Sequence, residues 1–200
     1  SSAASDVYKR QVYIEVNHED LATVGAFLRA GAHRPVFDLA MIFAANINYD
    51  GYTAYLHLNE RVMETLRAAE TQIRPLQRRG TKVLLSLLGN HEGAGFANFP
   101  TRHDAERFAA QVARVVHRYH LDGVDLDDEY SEYGKNDTGQ PNEDSFVWFV
   151  RALRRHLGPH KLLTLYSIGP SVDRTVSAVG NASDDLDYAW NPWYGTYQEP

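Results

Sequence analysis

Residues 122–129 read Asp-Gly-Val-Asp-Leu-Asp-Asp-Glu, a segment in which five carboxylates surround the two apolar residues of a buried β-strand. In a strand, side chains two residues apart share one face, which predicts that Asp125, Asp127 and Glu129 point the same way. Like charges held that close cannot all ionise, so the pKa of at least one carboxyl is predicted to rise. A carboxylic acid that keeps its proton near neutral pH can serve as a general acid.

The other two carboxylates of the segment have the opposite parity. Asp122 lies near the start of the predicted strand and is expected to be structural, and Asp128 is expected to face away from the trio. The alternative for the whole segment is a solvated acidic loop or a metal site, since carboxylate clusters often bind calcium or magnesium. Calcium loops draw their ligands from a turn, whereas the apolar spacers here favour a half-buried strand. The sequence therefore predicts neither a metal nor a cofactor.

Composition limits the class of protein and of partner. The chain has 200 residues, of which 44% are hydrophobic and 23% are charged, as in a single globular domain. The net charge of −6, without a basic run, argues against binding to nucleic acid or to an anionic membrane. No stretch approaches eighteen consecutive apolar residues, and the absence of cysteine excludes disulfides. We expect a monomer with a neutral partner.

Short β-rich apolar runs alternate with helical stretches, which is typical of parallel βαβ units. Thr101 is predicted to cap one helix, and Gly158 to end the next. The six predicted strands lie near residues 12–17, 38–46, 82–88, 122–128, 162–167 and 186–191.

Six such units predict an α/β fold, a (β/α)₈ TIM barrel truncated after its sixth strand, because complete barrels usually have eight strands and about 250 residues. Residues 1–10 lack an initiator Met and apolar periodicity, and are expected to be a disordered or foreign leader. Residues 11–200 are expected to form one domain without its C-terminal βα units. The alternative is a naturally complete open sheet with protected outer strands.

Active sites of parallel barrels lie at the C-terminal ends of the strands, where this sequence concentrates amide and aromatic residues. Aromatic rings stack on sugar rings, while amides and hydroxyls bind ring hydroxyls. A ring of such groups around three carboxylates predicts a carbohydrate site. The predicted substrate-binding residues are Asn46, Asn90, His91, Tyr166, Asn191, Trp193 and Tyr194. Of these, His91 is expected to be an ordinary polar residue rather than a metal ligand, since no partner stands at ligand spacing.

Residues 122–129 also resemble, without a break, the DGxDxDxE signature of family 18 glycoside hydrolases. Residues 43–50, 88–100 and 188–192 resemble the endo-β-N-acetylglucosaminidase branch of that family. The resemblance implies a secreted enzyme that hydrolyses the β-1,4 bond between the two core N-acetylglucosamines of N-linked glycans. High-mannose and hybrid glycans are the implied substrates.

The resemblance further implies a mechanism, because family 18 departs from the usual scheme of two catalytic carboxylates. In substrate-assisted catalysis, the 2-acetamido carbonyl of the sugar attacks its own anomeric carbon, with net retention. Glu129 would protonate the leaving oxygen and then activate water. Asp127 would orient the acetamido N–H, and Asp125 would share a proton with Asp127.

Two departures from chitinases of the same family bear on the substrate. Asn191 stands where those enzymes have the tyrosine that holds the acetamido carbonyl, so either Asn191 or the nearby Tyr194 is expected to hold it. Residues 86–89, Ser-Leu-Leu-Gly, have leucine where chitinases commonly have glycine. A chitinase remains the alternative enzyme. A catalytically silent carbohydrate-binding protein on the same fold is the other alternative, although such proteins typically lose the glutamate found here at Glu129.

Overall fold

The computed structural model describes residues 9–31 and 33–192. One sheet dominates it, with six parallel strands in the order β1-β2-β4-β5-β6-β9, and β3 pairs antiparallel with the end of β2. The strands β7 and β8 form a separate hairpin. The nine strands are β1 (Gln11–Glu15), β2 (Leu39–Tyr49), β3 (Ala54–His57), β4 (Lys82–Gly89), β5 (Gly123–Asp127), β6 (Leu162–Tyr166), β7 (Val176–Ser177), β8 (Gly180–Asn181) and β9 (Tyr188–Trp190).

The helices connect the parallel strands, as in βαβ units. The Thr101 side chain accepts a hydrogen bond from the Asp104 N–H, which confirms the predicted cap, and Gly158 ends the last helix as predicted. In the described residues, no helix is long and apolar enough to cross a membrane. The helices are α1 (Glu60–Arg67), α2 (Ala69–Gln72), α3 (Arg74–Arg78), α4 (Arg102–Arg118) and α5 (Ser145–Leu157), with 3₁₀ turns at Leu21–Ala26, Lys135–Asp137, Val172–Arg174 and Ala182–Asp184.

The two faces of the sheet bury different residues. On the outer face, Val124 and Leu126 of β5 pack in the large apolar cluster that α4 and α5 complete. On the inner face, a small cluster of Leu39, Met41 and Leu84 lies at the base of the concave side. Burial of each such side chain contributes about 1.5–3 kcal/mol, so the outer layer is the main source of stability. The concave face is left for polar groups.

The sheet curls into a half-barrel, and the predicted fold class, a (β/α)₈ barrel truncated after six strands, is confirmed. All six predicted strands are present, with ends that differ by a few residues. The hairpin partner β3 was not predicted, since the second strand was expected to end near residue 46; in the turn that joins them the Asp50 side chain accepts the Tyr52 and Thr53 N–H groups. Most of the expected leader, residues 1–8, lies outside the described residues.

Candidate active site

The three carboxylates of the trio lie at the middle and C-terminal end of β5, as parity predicts. Asp125 and Asp127 are 0% and 2% exposed on the strand itself, and Glu129 is half-buried two residues past its end. Asp122 lies at the opposite end, where its carboxylate accepts the Val83 N–H at 2.9 Å. This contact fits the structural role that its position suggested.

Asp125 is the deepest member of the trio and is held from both sides. Thr164 Oγ1 donates to Oδ1 at 2.5 Å, and Ser86 Oγ donates to Oδ2 at 3.1 Å. Both donors come from the flanking strands at positions in register with Asp125. Burial nevertheless raises the pKa of Asp125 to about 6, because lost solvation outweighs these bonds.

Asp127 is the group that keeps its proton at neutral pH. Burial raises its pKa to about 8, and the charges of Glu129, Asp125 and Asp128, together with a hydrogen bond to Glu129, act in the same direction. The expectation that at least one carboxyl would titrate abnormally is therefore confirmed. Its Oδ1 atom is buried and has no hydrogen-bond partner in the described part of the chain. This oxygen is available to a ligand.

Two further inward-facing side chains surround Asp125, and sequence reasoning missed both. The Tyr13 hydroxyl and the Trp190 indole N–H approach the carboxylate closely enough to favour its charge. Neither meets the distance and angle limits of a standard hydrogen bond to any described residue. Burial and the Asp125 charge raise the pKa of Tyr13 well above its usual range. Inward parity on β1 and β9 was the signal that could have found them.

The predicted amide residues come together at the C-terminal ends of β2 and β4. Asn46 Nδ2 donates to the Gly89 carbonyl at 3.1 Å, and Asn90 Nδ2 donates to Asn48 Oδ1 at 2.9 Å. Tyr166 ends β6 in register with Asp127, so its side chain faces the trio's side of the sheet. These groups lie at the C-terminal ends of neighbouring parallel strands, on the same edge of the sheet as Glu129.

The other predicted residues are exposed or lie outside the described residues. His91 is exposed, and its Nδ1 lies 2.7 Å from a carboxylate oxygen of Glu132. Asn191 follows β9 and is exposed. Trp193 and Tyr194 lie outside the described residues. In the described ranges, no three His, Cys, Asp or Glu side chains are arranged to hold a metal ion.

The loops after β4 and β5 are joined by a backbone ladder. The N–H groups of Gly89, His91 and Gly93 donate to the carbonyls of Glu129, Tyr130 and Ser131 at 3.0, 2.7 and 2.8 Å, respectively. A Cβ atom on Gly89 would lie 2.4 Å from the Glu129 oxygen, so glycine is required for this approach. The ladder fixes the backbone of Glu129 relative to β4.

A small cleft also opens at this end of the sheet, between the β2–β3 hairpin and the loops after β4 and β5. Tyr49, Tyr52, Phe99 and Asp104 are among its lining residues, and none of the trio is. The reactive groups instead face the open concave side. The trio is therefore the candidate site, because abnormal carboxyl pKa values mark such sites more directly than the shape of a cleft.

Comparison with known proteins gives one consistent family. The model for glycosyl hydrolases family 18 matches residues 13–198. An endo-β-N-acetylglucosaminidase of Flavobacterium sp. (strain SK1022) is 56% identical over 94% of this chain, and endo-β-N-acetylglucosaminidase F1 of Elizabethkingia meningoseptica is 33% identical over 92%. The structure of EndoBT-3987 from Bacteroides thetaiotaomicron with Man9GlcNAc2Asn substrate superposes with a TM-score of 0.83, at 29% identity over 94% of this chain.

Each of these relatives is longer than the present chain. The chain spans 59% of the Flavobacterium protein, 56% of the Elizabethkingia protein and 48% of the EndoBT-3987 chain. The residues matched by the family model, 13–198, include the carboxylate trio.

Proposed function

The chain belongs to glycosyl hydrolases family 18, and from that membership we propose that it carries the catalytic carboxylates of an endo-β-N-acetylglucosaminidase. The enzyme would hydrolyse the β-1,4 bond between the two core N-acetylglucosamines of N-linked glycans. The observation that carries this proposal is the pair formed by a protonated Asp127 and a half-buried Glu129 at the open end of β5. One acid beside one neutral carboxyl suits a reaction whose nucleophile belongs to the substrate.

In the proposed reaction, Glu129 gives its proton to the glycosidic oxygen as the bond from that oxygen to the anomeric carbon breaks. The acetamido carbonyl oxygen forms the new bond to the anomeric carbon from the opposite side, which gives an oxazolinium ion. Glu129 then takes a proton from the water that attacks the anomeric carbon and opens the ring. Two inversions leave the configuration retained.

Asp127 would hold the acetamido group during this sequence. Its buried Oδ1 lacks a partner in the described chain and can accept the acetamido N–H, whose nitrogen becomes positive as the ring closes. Asp125 lies deeper on β5, where Thr164 and Ser86 hold it. It would share a proton with Asp127 and so tune the charge of Asp127 and Glu129. Asn191 or Tyr194 would donate to the acetamido carbonyl, as the sequence suggested.

The relatives that match most of this chain support the choice of substrate class. Two of them are named endo-β-N-acetylglucosaminidases, and EndoBT-3987 has been crystallised with Man5GlcNAc product and with Man9GlcNAc2Asn substrate. We propose a high-mannose or hybrid N-glycan, bound by the amides Asn46 and Asn90 and by Tyr166 and His91 around the trio. We also propose that the protein acts as a secreted monomer.

Digestion of a high-mannose glycoprotein tests the proposal. The protein in its longest natural form should leave one N-acetylglucosamine on each site, seen by mass spectrometry, and the released glycan should first appear as the β anomer by NMR. Soluble chitin serves as the parallel substrate. Faster cleavage of chitin would instead favour a chitinase, and glycan binding without cleavage would favour a silent binding protein.

A further inference from the structure

Asp128 stands between two residues of the trio but points away from them, into a buried polar site. It is 3% exposed, and its Oδ2 accepts both the N–H and the hydroxyl of Ser171, at 2.9 and 2.6 Å. Its Oδ1 accepts the hydroxyls of Tyr133 and Ser131 at 2.5 and 3.1 Å. Among the described residues, no Lys, Arg or His lies within ion-pair distance of it. A buried carboxylate is thus held entirely by neutral donors.

These bonds fasten the loops after β5 and β6 to one carboxylate, and Tyr133 links a third loop to them. Ser131 and Tyr133 belong to the loop after β5, and Ser171 belongs to the loop after β6. The Tyr133 oxygen also accepts the N–H of Ala97, from the loop after β4. A Cβ on Gly169 would lie 2.0 Å from the Asp128 carbonyl oxygen, so the β6 loop is packed directly on the Asp128 backbone.

The consequence reaches the next residue along the chain. Glu129 has its carbonyl fixed by Gly89, and its preceding residue is fixed by the four bonds to Asp128. With the backbone held on both sides, the point from which the Glu129 side chain leaves the loop, and the direction of its first bond, are set before substrate arrives. The Asp128 charge also adds to the groups that raise the pKa of Asp127.

We propose that Asp128 is a positioning residue for the acid Glu129: it ties the loops after β4, β5 and β6 into one frame that aims the acid across the open end of β5. The inference rests on the proposed function, because it assigns Glu129 the acid role. To the groups on which the reaction depends it adds Asp128 and its two partners Tyr133 and Ser171. Their neutral hydroxyls would affect catalysis without touching the substrate.

Four variants in the longest natural form of the protein test the inference. Asp128→Asn removes the charge and keeps the shape, while Tyr133→Phe and Ser171→Ala each remove one donor and keep the charge. Asp122→Asn is the matched control, since Asp122 is also a hydrogen-bonded carboxylate of the same segment but lies at the far end of the strand. The measurements are kcat, KM, the pH profile and the melting temperature.

Asp128→Asn should lower kcat about 10²-fold with little change in KM, because a misaimed acid impairs the chemical step. The alkaline limb of its pH profile should move to lower pH, since one charge that raises the pKa of Asp127 is gone. Tyr133→Phe and Ser171→Ala should lower kcat less and move that limb less, because the Asp128 carboxyl is still present. Asp122→Asn should lower the melting temperature and keep kcat.

Parental kcat and pH profile in Asp128→Asn, or a loss of thermal stability alone, would overturn the inference. If Asp128→Asn does not fold, parental kcat in both Tyr133→Phe and Ser171→Ala overturns it. Carboxyl and amide NMR add a readout without turnover, in which the pKa of Asp127 should fall and the Glu129 amide signal should shift. If the parent protein is inactive but Asp128→Asn still causes these NMR changes, the proposed function is rejected and the positioning role of Asp128 is retained.

Discussion

At the residue scale, Glu129 is the side chain on which the proposed reaction depends most. Replacement by Gln keeps its shape and hydrogen bonding but removes the transferable proton, so hydrolysis should slow by about 10² to 10⁴. Binding of a high-mannose glycan should persist, as measured by calorimetry alongside turnover. Near-parental turnover in Glu129→Gln would show that another group supplies the proton.

Asp127 should weaken the fold at alkaline pH, because its pKa is about 8 when folded and 3.8 in its ordinary state. Between these values the folded state binds more protons than the unfolded state, so the free energy of unfolding falls as pH rises. Asp127→Asn removes this titration and resembles the protonated carboxyl. It should be more stable than the parent at pH 8, by about 1.4 kcal/mol for each pKa unit involved, and nearly equal at pH 4.

Urea unfolding at pH 4, 6 and 8 measures this difference. Asp122→Asn is the control and should lose stability instead, because the Val83 N–H and Gln77 amide would lose a carboxylate acceptor. An Asp127→Asn protein that is less stable than the parent at pH 8 would argue against a raised pKa at this site.

The trio could be found from sequence because its members lie on one strand, where parity alone decides which side chains meet. For the partners of Asp125, parity predicts only that a side chain faces inward, not that it reaches this carboxylate. Ser86, Thr164, Tyr13 and Trp190 come from four other strands, and their meeting depends on the register between those strands. Ring contacts such as that of Tyr13 with Tyr166, at 5.6 Å between centroids, depend on curvature that no periodicity encodes.

At the scale of elements, strands and long helices followed from apolar patterns, whereas the loops did not. The long loop after β5 has no apolar period, and its shape depends on single polar contacts such as those of Asp128. Its residues Tyr130, Glu132 and Asn136 have φ near +50 to +60°, a region that sequence patterns do not predict for such residues. The contacts of Asp128 with these loops could therefore not be predicted from the sequence, although its direction away from the trio was expected.

Gly89 is predicted to be essential for joining the β4 and β5 loops. In Gly89→Ala, the added methyl group would meet the Glu129 carbonyl, so the backbone of the acid must shift. We expect a loss of about 1–3 kcal/mol in the free energy of unfolding and a fall in kcat. Gly139→Ala is the control, since a Cβ there meets nothing within 4 Å, and it should change stability by less than about 0.5 kcal/mol. Equal effects of the two substitutions on stability and kcat would contradict the assignment.

At the scale of the whole molecule, the described half-barrel has two edge strands. In the described part of the chain, β1 and β9 each pair with one strand of the sheet, and unpaired edges favour aggregation. We propose that closure of the barrel needs further βα units. Residues 1–200 prepared alone should aggregate or melt with low cooperativity and have little activity, measured by size-exclusion chromatography, calorimetry and glycan digestion.

A longer form that pairs both edges should recover cooperative melting and hydrolysis together. Monodisperse, cooperatively folded and fully active protein from residues 1–200 alone would instead mean that six strands make a self-sufficient enzyme.

The backbone ladder between the loops after β4 and β5 should slow the local opening of the backbone around the acid. Gly93 lies beyond the end of β4, yet its N–H donates to the Ser131 carbonyl. The N–H groups of Gly89 and His91 donate to the carbonyls of Glu129 and Tyr130. Deuterium should therefore replace these three protons as slowly as those of a central strand. Fast local opening elsewhere in the loops would then leave the backbone of Glu129 in place, and its orientation would persist from one binding of substrate to the next.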